Sequence, residues 1–195
     1  GNPVVAYEYW TNDVRKQFVV QQKDGTYWTN SYGYDAAMRL NDIRTPAGMF
    51  TNIFSAGVLG GTTCGSSLIQ KTILPNGAYV TNAFESVARL AFTKLFTSGN
   101  SLLNAHTYTY NAGNQRTRQT RTGGDYVDYT YDPIGQLRSA IGKESGGSSR
   151  LNEQFGYGYD AAWNVGSKTN NALIQSFGTD SRNRLTSMSR SGTFT

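Results

Sequence analysis

Tyr129-Thr130-Tyr131-Asp132-Pro133-Ile134-Gly135-Gln136-Leu137 reads as the end of a strand, a turn and the start of a returning strand. Tyr129 and Tyr131 stand two apart, so in an extended chain they share one face. Asp132-Pro133-Ile134-Gly135 then puts Asp at the first turn position, Pro at the second and Gly at the fourth, the preference of a type I turn with a glycine-assisted exit. Beyond it Leu137, Ser139 and Ile141 alternate with Gln136, Arg138 and Ala140, which predicts a return strand with its apolar residues on one side. A second reversal follows at Glu144-Ser145-Gly146-Gly147-Ser148. One unit is one hairpin.

The phrase recurs on both sides of this stretch. Tyr108-Thr109-Tyr110-Asn111, Tyr157-Gly158-Tyr159-Asp160 and Tyr32-Gly33-Tyr34-Asp35 repeat it closely. Weaker copies are Tyr7-Glu8-Tyr9 before Asn12-Asp13, Phe84-Glu85 before Arg89-Leu90, and Phe177-Gly178-Thr179-Asp180 before Arg184-Leu185. Self-similarity at a period of about 20 to 30 residues means that each unit is too small to bury a core alone. Turn signals fall between the copies at Lys23-Asp24-Gly25, Pro75-Asn76-Gly77, Thr97-Ser98-Gly99-Asn100, Thr122-Gly123-Gly124-Asp125 and Ser191-Gly192.

The expected organisation is a single array over residues 1–195 of about seven or eight units. Their approximate bounds are 1–25, 26–48, 49–75, 76–99, 100–123, 124–146, 147–170 and 171–195. The third is degenerate: it is read at Phe54-Ser55-Ala56-Gly57-Val58, followed by a loop around Gly60 to Ser67. In Phe84 to Phe96, the residues Phe84, Val87, Ala88, Ala91 and Leu95 also fall at helical spacing, so a short helix competes with the hairpin there. Ser191-Gly192-Thr193-Phe194-Thr195 reads as the turn and incoming strand of a further unit, so the chain is expected to be a piece of a longer array.

Composition agrees with strands and turns. The 195 residues include 22 Gly and 13 Tyr but 4 Pro, and only 16% are charged. Tyr, Thr, Val and Phe suit a pleated surface, while Gly, Asn and Asp suit tight turns. The net charge of +5 is spread along the chain with no basic block, so it names no partner. No run is long and apolar enough to span a bilayer as a helix, and Gly1-Asn2-Pro3-Val4-Val5 is not the start of a signal peptide. The single cysteine, Cys64, excludes an internal disulfide framework and cannot alone make a zinc site.

The Tyr-x-Tyr-Asp phrase with its small or polar turn and Arg-Leu or Gln-Leu exit resembles the YD repeat of the RHS (rearrangement hot spot) family. The resemblance covers nearly the whole chain and is strongest at Tyr108 to Arg116, Tyr129 to Leu137 and Tyr157 to Asn164. It implies an all-β fold: a repetitive antiparallel β-hairpin strip that twists into a spiral, a shell or an elongated solenoid-like ribbon. Relatives of that style include large bacterial RHS-repeat proteins, the cocoon of insecticidal toxin complexes and the teneurin ectodomain. The implied role is a non-enzymatic scaffold, a segment of a secreted or cell-surface bacterial protein forming a wall, an encapsulating shell or a fibre. Met38, Ala88, Asn114, Trp163 and Asn183 depart from the pattern, standing where the family's turn most often has Gly. The autoproteolytic aspartate region of toxin-bearing members has no counterpart here, so no catalytic residue is carried over.

Each candidate residue has a structural and a functional reading. The repeat positions Tyr7, Tyr9, Tyr32, Tyr34, Phe84, Tyr108, Tyr110, Tyr129, Tyr131, Tyr157 and Tyr159 could stack on sugars, which makes a carbohydrate-binding, adhesin-like module the alternative function. Regular placement favours instead a cross-strand aromatic ladder. Asp35, Asn111, Asp132, Asp160 and Asp180 open turns, where the side chain bonds the backbone two residues on, and Gly135 closes one. One such carboxylate per unit does not build an acid-base pair. Cys64 is flanked by glycines, but no motif brings the sole histidine, His106, to it as a base. Arg116, Arg118 and Arg121, with Arg138, could form a basic stripe for single-stranded nucleic acid, with Arg116 and Arg118 on one face, but a solvated outer face explains them equally and nucleic acid is not an expected partner. No catalytic, cofactor or metal residue is assigned. The expected partners are further repeats or other copies meeting at open strand edges, with an encapsulated C-terminal toxin or surface glycans beyond them.

Overall fold

The structure is a computed structural model that describes residues 4–59 and 62–193, the side chains of 57–65 excepted. The chain divides into two compact units, Gly1–Asn104 and Ala105–Thr195. The first holds β1 (Val5–Tyr9), β2 (Arg15–Gln21), β3 (Tyr27–Tyr34), β4 (Leu40–Thr45), β5 (Gly48–Leu59), β6 (Thr62–Ile73), β7 (Tyr79–Phe84) and β8 (Leu90–Phe96). The division falls within β9 (Leu102–Tyr110). Next come β10 (Arg116–Arg121), β11 (Tyr126–Tyr131), β12 (Leu137–Lys143), β13 (Ser149–Tyr159), β14 (Val165–Asn170), β15 (Leu173–Thr179) and β16 (Leu185–Ser191). The fold is all-β: sixteen strands in one open antiparallel sheet whose order is the chain order, with no helix among the described residues.

One turn form accounts for most of the reversals. At Trp10/Val14, Gln22/Thr26, Asp35/Arg39, Leu74/Ala78, Glu85/Arg89 and Thr97/Ser101 in the first unit, the first residue's N–H donates to the carbonyl of the fifth. Asn111/Gln115, Arg121/Asp125, Asp132/Gln136, Glu144/Ser148, Asp160/Asn164 and Asp180/Arg184 do the same in the second, and all these bonds measure 2.7–3.0 Å. In each, the fourth residue's N–H donates back to the first residue's carbonyl, at 2.8–3.1 Å. That fourth residue always lies in the left-handed region, with φ between 60° and 94°. This is a type I turn followed by a left-handed residue that makes a bulge, a form whose twist suits a hairpin.

The five residues standing where the repeat phrase has Gly therefore do not change the turn. Met38, Ala88, Asn114, Trp163 and Asn183 have φ of 60°, 63°, 63°, 68° and 60°. Asn tolerates this region; Met, Ala and Trp do so at a cost of roughly 1 to 2 kcal/mol each. Closure of the surrounding ladder imposes the conformation against that local preference.

Buried apolar volume is almost lacking. Among the described residues only Ala78, Val127, Ala140 and Gly142 are buried, and no side chain is fully enclosed. A single sheet layer has no second layer to pack against, so its strands are tied by backbone ladders, turn hydrogen bonds and cross-strand contacts, each contributing about 1 kcal/mol net.

One alternative is settled and two expectations are corrected. The segment Phe84 to Phe96 is a hairpin and not a helix: β7 and β8 pair from Tyr79↔Phe96 to Phe84↔Leu90, and Val87, from the helical set, lies exposed in the turn. Thr62 to Ser67 is strand and not loop, because β5 and β6 form a long hairpin paired as far as Leu59↔Thr62. Residues 60 and 61 lie outside the described set. Finally, Leu137, Ser139 and Ile141 do not make one apolar side. The bulge beside Tyr131 pairs Leu137 with Tyr131 but Ser139 with Thr130, so Ala140 and Gly142, and not Ile141, are buried on the tyrosine face.

Candidate functional site

The turns that follow the tyrosine strands gather, within each unit, along one edge of the meander. Their first residues act through side chain as well as backbone. Asp132 Oδ1 accepts from the N–H groups of Ile134 and Gln136, at 3.1 and 2.8 Å. Asp35 does the same for Ala37 and Arg39, Asp160 for Ala162 and Asn164, and Asp180 for Arg182 and Arg184. Asn111 accepts from Gln115 N–H at 3.0 Å. Gly135 supplies the left-handed fourth position, at φ 94°.

The residue that leaves the turn often closes it. Arg39 Nε donates to Asp35 Oδ2 at 2.7 Å, Arg89 Nε to Glu85 Oε2 at 2.7 Å, and Arg184 Nε to Asp180 Oδ2 at 2.8 Å. The guanidinium of Arg39 holds the Asp35 carboxyl below the usual range. The Asn164 side chain does so for Asp160, and the Arg184 N–H for Asp180. A carboxylate stabilised as an anion by several donors is a poor proton donor or acceptor near neutral pH.

At three copies the second tyrosine of the phrase ties its hairpin to the one before. Tyr34 hydroxyl donates to the Arg15 carbonyl at 3.0 Å, Tyr131 to Arg116 at 2.8 Å and Tyr159 to Leu137 at 2.9 Å. Each acceptor is the residue that opens the preceding return strand: Arg15 opens β2, Arg116 opens β10 and Leu137 opens β12. The first tyrosines differ more. Tyr129 is driven above its usual range by burial, and its hydroxyl donates to Gln119 at 3.3 Å. Tyr7 packs on Phe18 with ring centroids 5.3 Å apart, under the Arg15 guanidinium at 5.2 Å. Tyr9, Tyr32, Tyr108, Tyr110 and Tyr157 lie on β1, β3, β9 and β13, and Phe84, which has no hydroxyl, ends β7. The repeat positions are spaced along each unit and do not converge on a common point.

The shared strand face expected for Arg116 and Arg118 is not formed. A bulge between Arg116 and Arg118 pairs Arg116 with Tyr110 and Arg118 with Thr109, which turns the two guanidinium groups to opposite faces. Arg116 stacks on Tyr108 at 4.1 Å, while Arg118 lies over Tyr126 at 3.9 Å and pairs with Asp128 at 2.6 Å. Arg121 is bound to Asp125 at 2.7 Å and Glu153 at 2.8 Å. Arg150 completes this network, reaching Asp125, Glu153 at 3.2 Å and Glu144 at 3.7 Å. Sequence reading missed the network because Glu153 meets Arg121 from 32 residues away; the only local signal was Arg121 and Asp125 facing each other across a turn.

His106 Nδ1 lies 3.0 Å from Gln119 Nε2. The side chain of Cys64 is outside the described residues. Among the described residues no three His, Cys, Asp or Glu side chains are grouped to hold a metal.

The fold is similar to that of solved TcdB2-TccC3 structures. The crystal structures of TcdB2-TccC3 and of TcdB2-TccC3-TEV both match with a TM-score of 0.57 at 13% identity, over 95% of this chain. The chain spans 12% of the length of the chains that it matches. At that identity the likeness is one of fold. No family model and no curated protein matches the sequence.

Proposed function

We propose that this chain is a segment of wall: a non-enzymatic, RHS-type hairpin strip within a longer, secreted or surface-exposed bacterial protein that forms a shell or fibre. One observation carries the reading. The same five-residue turn recurs from hairpin to hairpin, with the same hydroxyl-to-carbonyl tie at Tyr34, Tyr131 and Tyr159, while almost no side chain is buried. A strip so built gains stability by adding neighbours, as repeat arrays do, and not by enclosing a reaction centre. The likeness of fold to TcdB2-TccC3, of which the chain spans a small part, supports a place inside a larger sheet. In this reading the partners are further repeats or other copies at strand edges, and a toxin enclosed by the wall is a further candidate.

Protease shaving of intact cells that express the natural full-length protein tests the location. Peptides of this segment released from whole cells support a surface wall; release only after lysis would contradict it.

A further inference from the structure

On one face of the first unit, three residues stand directly opposite one another on consecutive strands. Lys71 of β6 pairs with Thr81 of β7, and Thr81 pairs with Lys94 of β8. Paired residues of an antiparallel sheet point to the same side, so the two lysines flank the Thr81 hydroxyl about 10 Å apart. Neither lysine has a carboxylate within ion-pair distance among the described residues. Both rest instead on aromatic rings, Lys71 Nζ 3.8 Å from the Tyr79 centroid and Lys94 Nζ 4.4 Å from that of Phe92.

Beside this row lies a trough of about 900 Å³. Ile53, Ala56 and Leu68 of the β5–β6 hairpin and Ala83 and Phe92 of β7 and β8 form its apolar walls, with Lys71 and Thr81 on its margin. Its one carboxylate, Glu85, is already paired with Arg89. The uncompensated charge is therefore cationic, and it stands at the side of an apolar trough of the size that takes a small ligand.

We propose that this trough binds an amphipathic anion, a molecule with an apolar chain or ring body and a single anionic head. The body lies along Ile53, Leu68 and Phe92, and the head is received by the Lys71 and Lys94 ammonium groups with the Thr81 hydroxyl between them. Turned off their rings toward Thr81, the two ammonium groups offer the head charge-assisted donors from both sides. The inference is independent of the wall reading, since it rests on the face of one unit and not on assembly.

Calorimetric titration of the 195-residue chain with dodecanoate, dodecanol and inorganic phosphate tests it. Saturable dodecanoate binding is expected, with dodecanol and phosphate each weaker by about tenfold or more. The double variant Lys71→Gln, Lys94→Gln should weaken dodecanoate by about tenfold and leave dodecanol unchanged. Lys94→Gln alone, opposite Thr81, gives the same direction should the double variant lose its circular-dichroism spectrum. The proposal is overturned if dodecanoate does not saturate, if dodecanol binds as tightly, if phosphate alone binds as tightly, or if folded variants keep full affinity. Displacement of dodecanoate by a tighter-binding oligothymidylate would also overturn it, by giving the lysines to a polyanion.

Discussion

The Tyr131 hydroxyl donates to the Arg116 carbonyl at 2.8 Å, across the junction between two hairpins. Arg116 opens β10, so the bond reaches the bulged start of the strand that Tyr131's own strand pairs with. Tyr34 and Tyr159 make the equivalent bond. The repeated tyrosine thus holds strand ends together where the bulge interrupts the ladder.

Tyr131→Phe keeps the ring and removes that donor. We expect a loss of about 1 kcal/mol in urea unfolding, with Tyr159→Phe close to it. A Phe variant as stable as the parent at both sites would show that the hydroxyl tie contributes nothing.

Ala88 holds φ 63° without the freedom of glycine. Ala88→Gly should stabilise the chain by roughly 1 kcal/mol, less the added entropy of the unfolded chain. Gly135→Ala, at φ 94°, should do the reverse. Melting temperatures that move in opposite directions check the pair.

Arg39 joins three partners: it pairs with Asp35, stacks on Phe54 at 4.3 Å and donates to the Ser66 carbonyl. It therefore braces the middle of the long β5–β6 hairpin. Arg39→Ala should speed amide hydrogen exchange from Ile53 to Ile69 and leave exchange in β10–β13 unaltered, which peptide-level mass spectrometry reads directly.

Acid should loosen the strip through its carboxylates. Asp125 is held below its usual range, first by Arg121 and then by Arg150, and Asp35, Asp160 and Asp180 are lowered by their turns. A depressed carboxyl stabilises the fold fully above its unfolded value of about 3.9, and the contribution disappears as pH falls through the lower folded value. These groups should thus leave stability level from pH 7 to 5 and lower it below about pH 4. Asp125→Asn should cost stability at pH 7 and flatten the acid limb, as followed by urea midpoints against pH.

The sequence made the hairpins legible where local chemistry decides them. Asp132-Pro133-Ile134-Gly135 states its turn outright, and Pro75-Asn76-Gly77 marks another. The period even locates the left-handed position at Trp163, a residue that no propensity would place there. Legibility ended where bulges or distance decide. The offset at Arg116 and Arg118 swaps faces without any residue that announces it. The two-residue reversals between Thr45 and Gly48 and between Asn170 and Leu173 carry weak signals, Pro46-Ala47 and Asn171-Ala172. Lys71, Thr81 and Lys94 come together only through strand register, and the Arg121, Glu153 and Arg150 network only through the packing of neighbouring hairpins.

Cryo-electron microscopy of the natural full-length protein tests the wall reading most directly. The account predicts a hollow particle or a thread in which this segment runs as consecutive antiparallel strands about 4.8 Å apart, continuous with neighbouring repeats. A compact globule, with this segment folded away from any extended sheet, would contradict it.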